Sequence, residues 1–219
     1  MARLLFEKTG DAIWISHLDL MRLFQRSFKR AGLPLKHTQG FNPRPSVSIA
    51  LPLSVGVESC CELLDFDLEG CSCSCEEISA KLSPVLVDGV RILDCYDSGK
   101  KIRDLAFLAC TVELEYDDGI AESDVDSIRE LFTREALIVT KKSKSGPVEQ
   151  DIIPMIRSIL VEHKDRNSVQ INAVICCQNP SLNPVQLIQA IEKYLPELKP
   201  DFAQCRRREL YDTAMNVFR

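Results

Sequence analysis

The chain of 219 residues holds 45% apolar and 27% charged side chains, ordinary proportions for a globular protein and enough to bury a core. That balance excludes intrinsic disorder, and no run reaches the ~18 consecutive apolar residues of a membrane span. A net charge of −5 excludes a uniformly basic nucleic-acid coat. In chain order, Arg3 to Glu7 reads as a strand and Lys8-Thr9-Gly10-Asp11 as a turn. Ser16 opens a helix with Asp19 in a capping-box arrangement, and Gly32 followed by Pro34 closes it. Leu35 to Thr38, Ser46 to Leu51 and Cys61 to Leu68 read as strands. Ser74 with Glu77 starts a helix reaching about Leu82, and Val90 to Tyr96 reads as the closing strand.

The second half repeats the order. Leu105 to Tyr116 reads as a strand, Ser123 with Asp126 as a helix cap, and Leu137 to Lys142 as a strand followed by a flexible Ser143-Lys144-Ser145-Gly146-Pro147. Ile159 to His163 and Val169 to Cys177 form a hairpin. Asn183 caps a helix with Pro184 at its first position, and Arg206 to Tyr211 is the last strand. The expectation is an α+β protein of two tandem ferredoxin-like βαββαβ units, residues 1–98 and 104–219, joined through Asp97-Ser98-Gly99-Lys100-Lys101.

The 10 cysteines do not form a disulfide framework: Cys60-Cys61 and Cys176-Cys177 are adjacent, while Cys71, Cys73 and Cys75 alternate. They read as reduced thiols. The alternating three lack a fourth ligand nearby, so neither a metal nor another cofactor is expected. The opening Met1-Ala2-Arg3-Leu4-Leu5-Phe6-Glu7 acquires charge too early for a signal peptide. A cytoplasmic protein with no membrane partner is the expectation.

Charge is unevenly spread. Residues 1–50 carry 8 Lys/Arg against 3 Asp/Glu, and residues 51–100 carry 3 against 10. A basic quarter on an acidic body suggests a localised anion site. At 100° per residue, Leu20, Met21, Phe24 and Phe28 fall on one stripe of the first helix, with Arg22, Arg26 and Lys29 opposite. His17 stands at the start of that helix, with Lys36 and His37 beyond its end. The loop Gln39-Gly40-Phe41-Asn42-Pro43-Arg44-Pro45 is stiffened by two prolines and turned by a glycine. Phe41 is suited to stacking on a base or to plugging the core, and Arg44 to pairing with phosphate.

Thr9-Gly10-Asp11, Ser16-His17-Leu18-Asp19-Leu20-Met21-Arg22, Arg30-Ala31-Gly32-Leu33-Pro34, Gln39-Gly40-Phe41-Asn42-Pro43 and Gly56-Val57-Glu58-Ser59 together resemble a radical-SAM-associated bacterial domain family of unknown function. Its members occur alone or fused C-terminal to a radical SAM protein, and most carry His where this chain has Arg44. The resemblance implies a radical SAM protein as partner. The chain has no cluster motif of its own: Cys71 and Cys75 have the first spacing of C-x-x-x-C-x-x-C, but the next position is Ile78.

The reading is a non-catalytic RNA-binding or substrate-presenting module. Its site comprises His17, Arg22, Arg26, Lys29, Lys36, Gln39, Phe41, Asn42 and Arg44. One alternative is a metal-independent endoribonuclease resembling CRISPR repeat-processing enzymes, using His17, His37 and Lys36. The other is a protein-interaction adaptor using the acidic residues 51–130.

Overall fold

A computed structural model describes residues 2–97, 100–143 and 146–219. The chain is mixed α+β, with mostly antiparallel strands and few helices, and divides into two compact units, Met1–Asp104 with Arg219, and Leu105–Phe218. Among the described residues no helix is long and apolar enough to cross a membrane.

The first unit runs β1 (Ala2–Lys8), α1 (His17–Arg30), β2 (Val47–Ile49), β3 (Glu58–Phe66), α2 (Cys75–Leu82), β4 (Val90–Asp97). Its strands lie in the order β4-β1-β3-β2, and every neighbouring pair is antiparallel. Period-2 alternation in β1 turns Leu4 and Phe6 to one face, where Leu64 and Phe66 of β3 join them. Helix α1 covers that face. The Ser16 Oγ accepts from the Asp19 amide at 3.2 Å, the buried stripe is Leu20, Phe24 and Phe28, and Gly32 ends the helix at φ +68°. Phe24 meets Phe6 edge-on with centroids 4.8 Å apart, and Phe28 meets Phe66 at 4.9 Å. Each buried ring contributes roughly 1.5–3 kcal/mol by leaving water. Ser74 and Glu77 form the full reciprocal capping box of α2, with bonds of 3.2 and 2.8 Å.

Charged side chains are buried on both faces of this sheet. On the face of β1 and β3 away from α1, Arg3 is fully buried and pairs with Asp65 through Nε (2.5 Å) and Nη2 (3.0 Å). On the α1 face, the buried Lys8 Nζ donates to the Ile13 carbonyl at 3.0 Å. Burial lowers the Lys8 pKa, and the Glu62 charge opposes that in part.

The second unit runs β5 (Leu105–Glu115), α3 (Glu122–Leu131), β6 (Ile138–Ser143), β7 (Gly146–Asp151), β8 (Ile156–Asp165), β9 (Ser168–Cys176), α4 (Val185–Tyr194), β10 (Phe202–Asp212). Four strands form an antiparallel sheet in the order β10-β5-β9-β8, while β6 and β7 pair as a separate hairpin. That hairpin is tied to α4, whose Tyr194 hydroxyl accepts from the Ile138 amide at 3.2 Å.

Several sequence expectations need correction. Leu35 to Thr38 is no strand: only the isolated bridges Leu35↔Leu68 and His37↔Pro45 form, because Pro34, Pro43 and Pro45 withhold amide donors. Gly146 and Pro147 belong to strand β7, with Pro147 opposite Lys142. A proline is tolerated there at the hairpin end. Helix α3 starts at Glu122, with Asp124 Oδ2 accepting from the Ala121 amide at 3.2 Å, so Ser123 is not its cap. Cys71 and Cys73 are joined as a disulfide, so not all ten cysteines are free thiols. The Cα atoms of the bonded pair lie 5.5 Å apart, within the range a disulfide spans. Ser98 and Gly99 of the expected linker, and Lys144 and Ser145 of the expected flexible stretch, lie outside the described residues.

Removing Asp65 leaves a buried guanidinium without its carboxylate. Asp65→Ala is expected to lose about 3–5 kcal/mol in urea unfolding. Glu7→Ala breaks a pair whose Arg91 partner is largely exposed and is expected to lose no more than about 1 kcal/mol.

Candidate nucleic-acid interface

With the apolar stripe of α1 against the sheet, its bases face outward. Arg22, Arg26, Lys29 and Arg30 line a hollow of about 760 Å³ whose apolar lining is Ile15, Leu23 and Val87. Asp19 is the one acid lining it. Arg22 Nη1 pairs with Asp19 Oδ1 at 2.9 Å. The hydrogen bond from Ser16 and then that from Arg22 hold the Asp19 carboxyl below the usual carboxylate range. Arg30 donates to the Val85 carbonyl at 2.8 Å. The Arg26 and Lys29 side chains make no ion pair or hydrogen bond among the described residues, and Arg26 acts on Asp19 only at longer range, so their charge is available to an anionic ligand. Sequence reasoning missed Arg30 and Val87. Arg30 was legible as a second base in the last helical turn, whereas Val87 arrives from a distant loop.

Beyond α1 the chain forms an exposed loop closed at its base. The Thr38 amide donates to the Arg44 carbonyl at 2.8 Å, the Arg44 amide to Thr38 Oγ1 at 3.0 Å, and the Ser46 amide to the Lys36 carbonyl at 2.7 Å. Gly40 turns the tip at φ +142°, a conformation side chains rarely adopt. Phe41 stands fully in solvent at 104% of its reference area, so it does not plug the core. Lys36, His37, Gln39, Asn42 and Arg44 are exposed as well.

At the loop base a second hollow of about 620 Å³ is lined by Gln25, Lys29, Leu33, His37, Pro45 and Glu69 among others. Lys29 lines both hollows and so joins His37 to the basic helix face. Gln39, Phe41, Asn42 and Arg44 line neither, and nor does the half-buried His17.

His17 opens α1, whereas His37 shares its hollow with Gln25 and Lys29. From residue 17 to residue 25 the helix rises about 12 Å. A general acid and base acting on one phosphate must both be within hydrogen-bond reach of it, and His17 and His37 line no common hollow. Among the described residues no group of three or more His, Cys, Asp or Glu side chains is arranged to hold a metal.

The model of the family described as "Uncharacterized protein conserved in bacteria (DUF2344)" matches residues 2–184. No curated protein matches the chain. Among solved structures, a chain of a crystal structure of a Cbf5-Nop10-Gar1 complex is similar at TM-score 0.55 and 9% identity, covering 95% of this chain and 48% of that one. The present chain thus spans about half the length of that one, and the likeness is one of fold alone. A crystal structure of an unknown protein from Galdieria sulphuraria aligns over 94% of this chain and 96% of that one at 10% identity. Its TM-score of 0.26 carries no argument.

Phe41→Ala is expected to leave stability within about 0.5 kcal/mol of wild type. Phe24→Ala, in the core, is expected to lose about 3–5 kcal/mol. Thermal or urea unfolding of the two variants checks the assignment of one ring to solvent and the other to the core.

Proposed function

Because the chain belongs to the bacterial family DUF2344, and its amino-terminal motifs resemble a radical-SAM-associated group, we propose that it is a non-catalytic RNA-binding module that works with a radical SAM enzyme. The observation that carries the RNA reading is the full exposure of Phe41 on a proline-stiffened loop following a basic helix face. An exposed aromatic ring costs solvation unless something covers it, and a nucleic-acid base is a flat apolar partner that such a ring stacks on. Arg26, Lys29 and Arg44 supply the positive charge that phosphates require.

In this reading both units are ferredoxin-like, making the chain a tandem. The support is the βαββαβ order of the first unit, the same order in the second with the β6–β7 hairpin inserted, and matching strand orders. The likeness to a chain of the Cbf5-Nop10-Gar1 complex fits a module that acts inside an assembly. Binding is favoured over cleavage because His17 and His37 line no common hollow. A second reading, the protein-interaction adaptor, draws on exposed apolar side chains at the start of α1: Trp14 is 67% and Leu18 66% exposed.

A salt titration of affinity for single-stranded RNA tests the proposal. Arg26→Ala and Arg44→Ala are expected to weaken binding across all sequences, each reducing the salt slope by about 1 or less. Phe41→Ala is expected to cost roughly 1–3 kcal/mol with the slope unchanged. Wild-type protein without salt-dependent binding would overturn the RNA reading in favour of the adaptor.

A further inference from the structure

The segment between β3 and α2 carries chemistry that RNA binding does not use. Cys71 and Cys73 are bonded to each other, and both are partly solvent-accessible while packing against the edge of the core. Each sulfur has its own hydrogen donor. The Cys73 amide points at Cys71 Sγ from 3.3 Å, and the exposed Lys81 ammonium, from the last turn of α2, at Cys73 Sγ from 3.7 Å. A covalent link between residues two apart closes a very short loop and so constrains the unfolded chain little, which leaves it little role as a staple. Accessible sulfurs with donors set to hold negative charge suit exchange instead.

We propose that Cys71–Cys73 is a thiol–disulfide exchange site whose substrate is a dithiol, with Lys81 as the positioning residue for the departing sulfur. One thiolate of the dithiol attacks Cys71 Sγ, the Cys71–Cys73 bond breaks, and its electron pair leaves on Cys73 Sγ beside the Lys81 ammonium. The second thiolate of the dithiol then attacks its own sulfur in the mixed disulfide and releases Cys71 as thiolate, held by the Cys73 amide. Two electrons and two protons pass from the dithiol to the pair, and the dithiol departs as its intramolecular disulfide. Burial first, and then interaction with Cys75, push the Cys95 thiol up to about 12.

The test uses the full chain, with dithiothreitol as the dithiol, and follows Cys71 and Cys73 by differential alkylation and peptide mass. The two are expected to be blocked in air-oxidised protein and to become alkylated together as dithiothreitol is raised. Lys81→Met is expected to slow reduction several-fold at pH 7, and Lys81→Arg to restore most of the rate. The unfolding midpoint is expected to be the same for reduced and oxidised protein. Free Cys71 and Cys73 thiols in the oxidised protein would overturn the proposal. So would reduction at equal rates in wild type and Lys81→Met, or an unfolding midpoint that falls on reduction.

Discussion

Phe24 against Phe6 and Phe28 against Phe66, at 4.8 and 4.9 Å, hold α1 to the sheet in one rotational setting. With these rings fixed, 100° per residue carries Arg22, Arg26, Lys29 and Arg30 to the far side, where they line a common hollow. Rotating the helix by one position would bury Gln25 and Lys29 where Phe24 and Phe28 now sit and expose both phenyl rings, and both changes are costly. The hydrophobic stripe and the basic face are therefore one constraint. The loop with Phe41 begins where this helix must stop, at Gly32 and Pro34.

The strands beneath α1 obey a second constraint. Eight of the nine residues of β3 are buried, including Glu58, Glu62 and Asp65, so the strand is not the half-wet kind that alternates apolar and polar. Arg3 and Asp65 are direct partners in the β1–β3 register. A slip of one residue would put Arg3 opposite Leu64 and strand two charges away from water. The ion pair thus helps define the pairing that places Phe6 and Phe66 under the helix, whatever its net contribution to stability.

Much of this architecture was legible where one local rule acted alone. Ser16 and Ser74 mark real helix starts, Gly32 a real helix end, and the stripe from Leu20 to Phe28 a real buried face. Legibility failed where tertiary contacts outweighed local signals. Strand β7 begins with Gly146-Pro147, a composition that reads as loop, and forms because β6 offers a partner. At α3 the sequence offers two overlapping capping patterns, and the one formed is Asp124 Oδ2 accepting from the Ala121 amide. Of the candidate site, the helix bases were readable from periodicity. The exposure of Phe41 was not, because a phenylalanine in a Gly/Pro loop suits core and solvent equally. Val87 at the basic hollow, Lys81 at Cys73 and the Cys71–Cys73 bond depend on contacts or chemistry that spacing does not specify.

The central proposal is that the amino-terminal unit binds nucleic acid, with charge on α1 and a stacking ring on the loop that follows it. Photocrosslinking of the full chain to a single-stranded RNA oligonucleotide, followed by peptide mass analysis, tests it most directly. The account predicts a salt-sensitive crosslink within the peptide that carries Phe41, lost when Phe41 is replaced by Ala although the protein stays folded. Crosslinks confined to the second unit, or none above background at low salt, would contradict it.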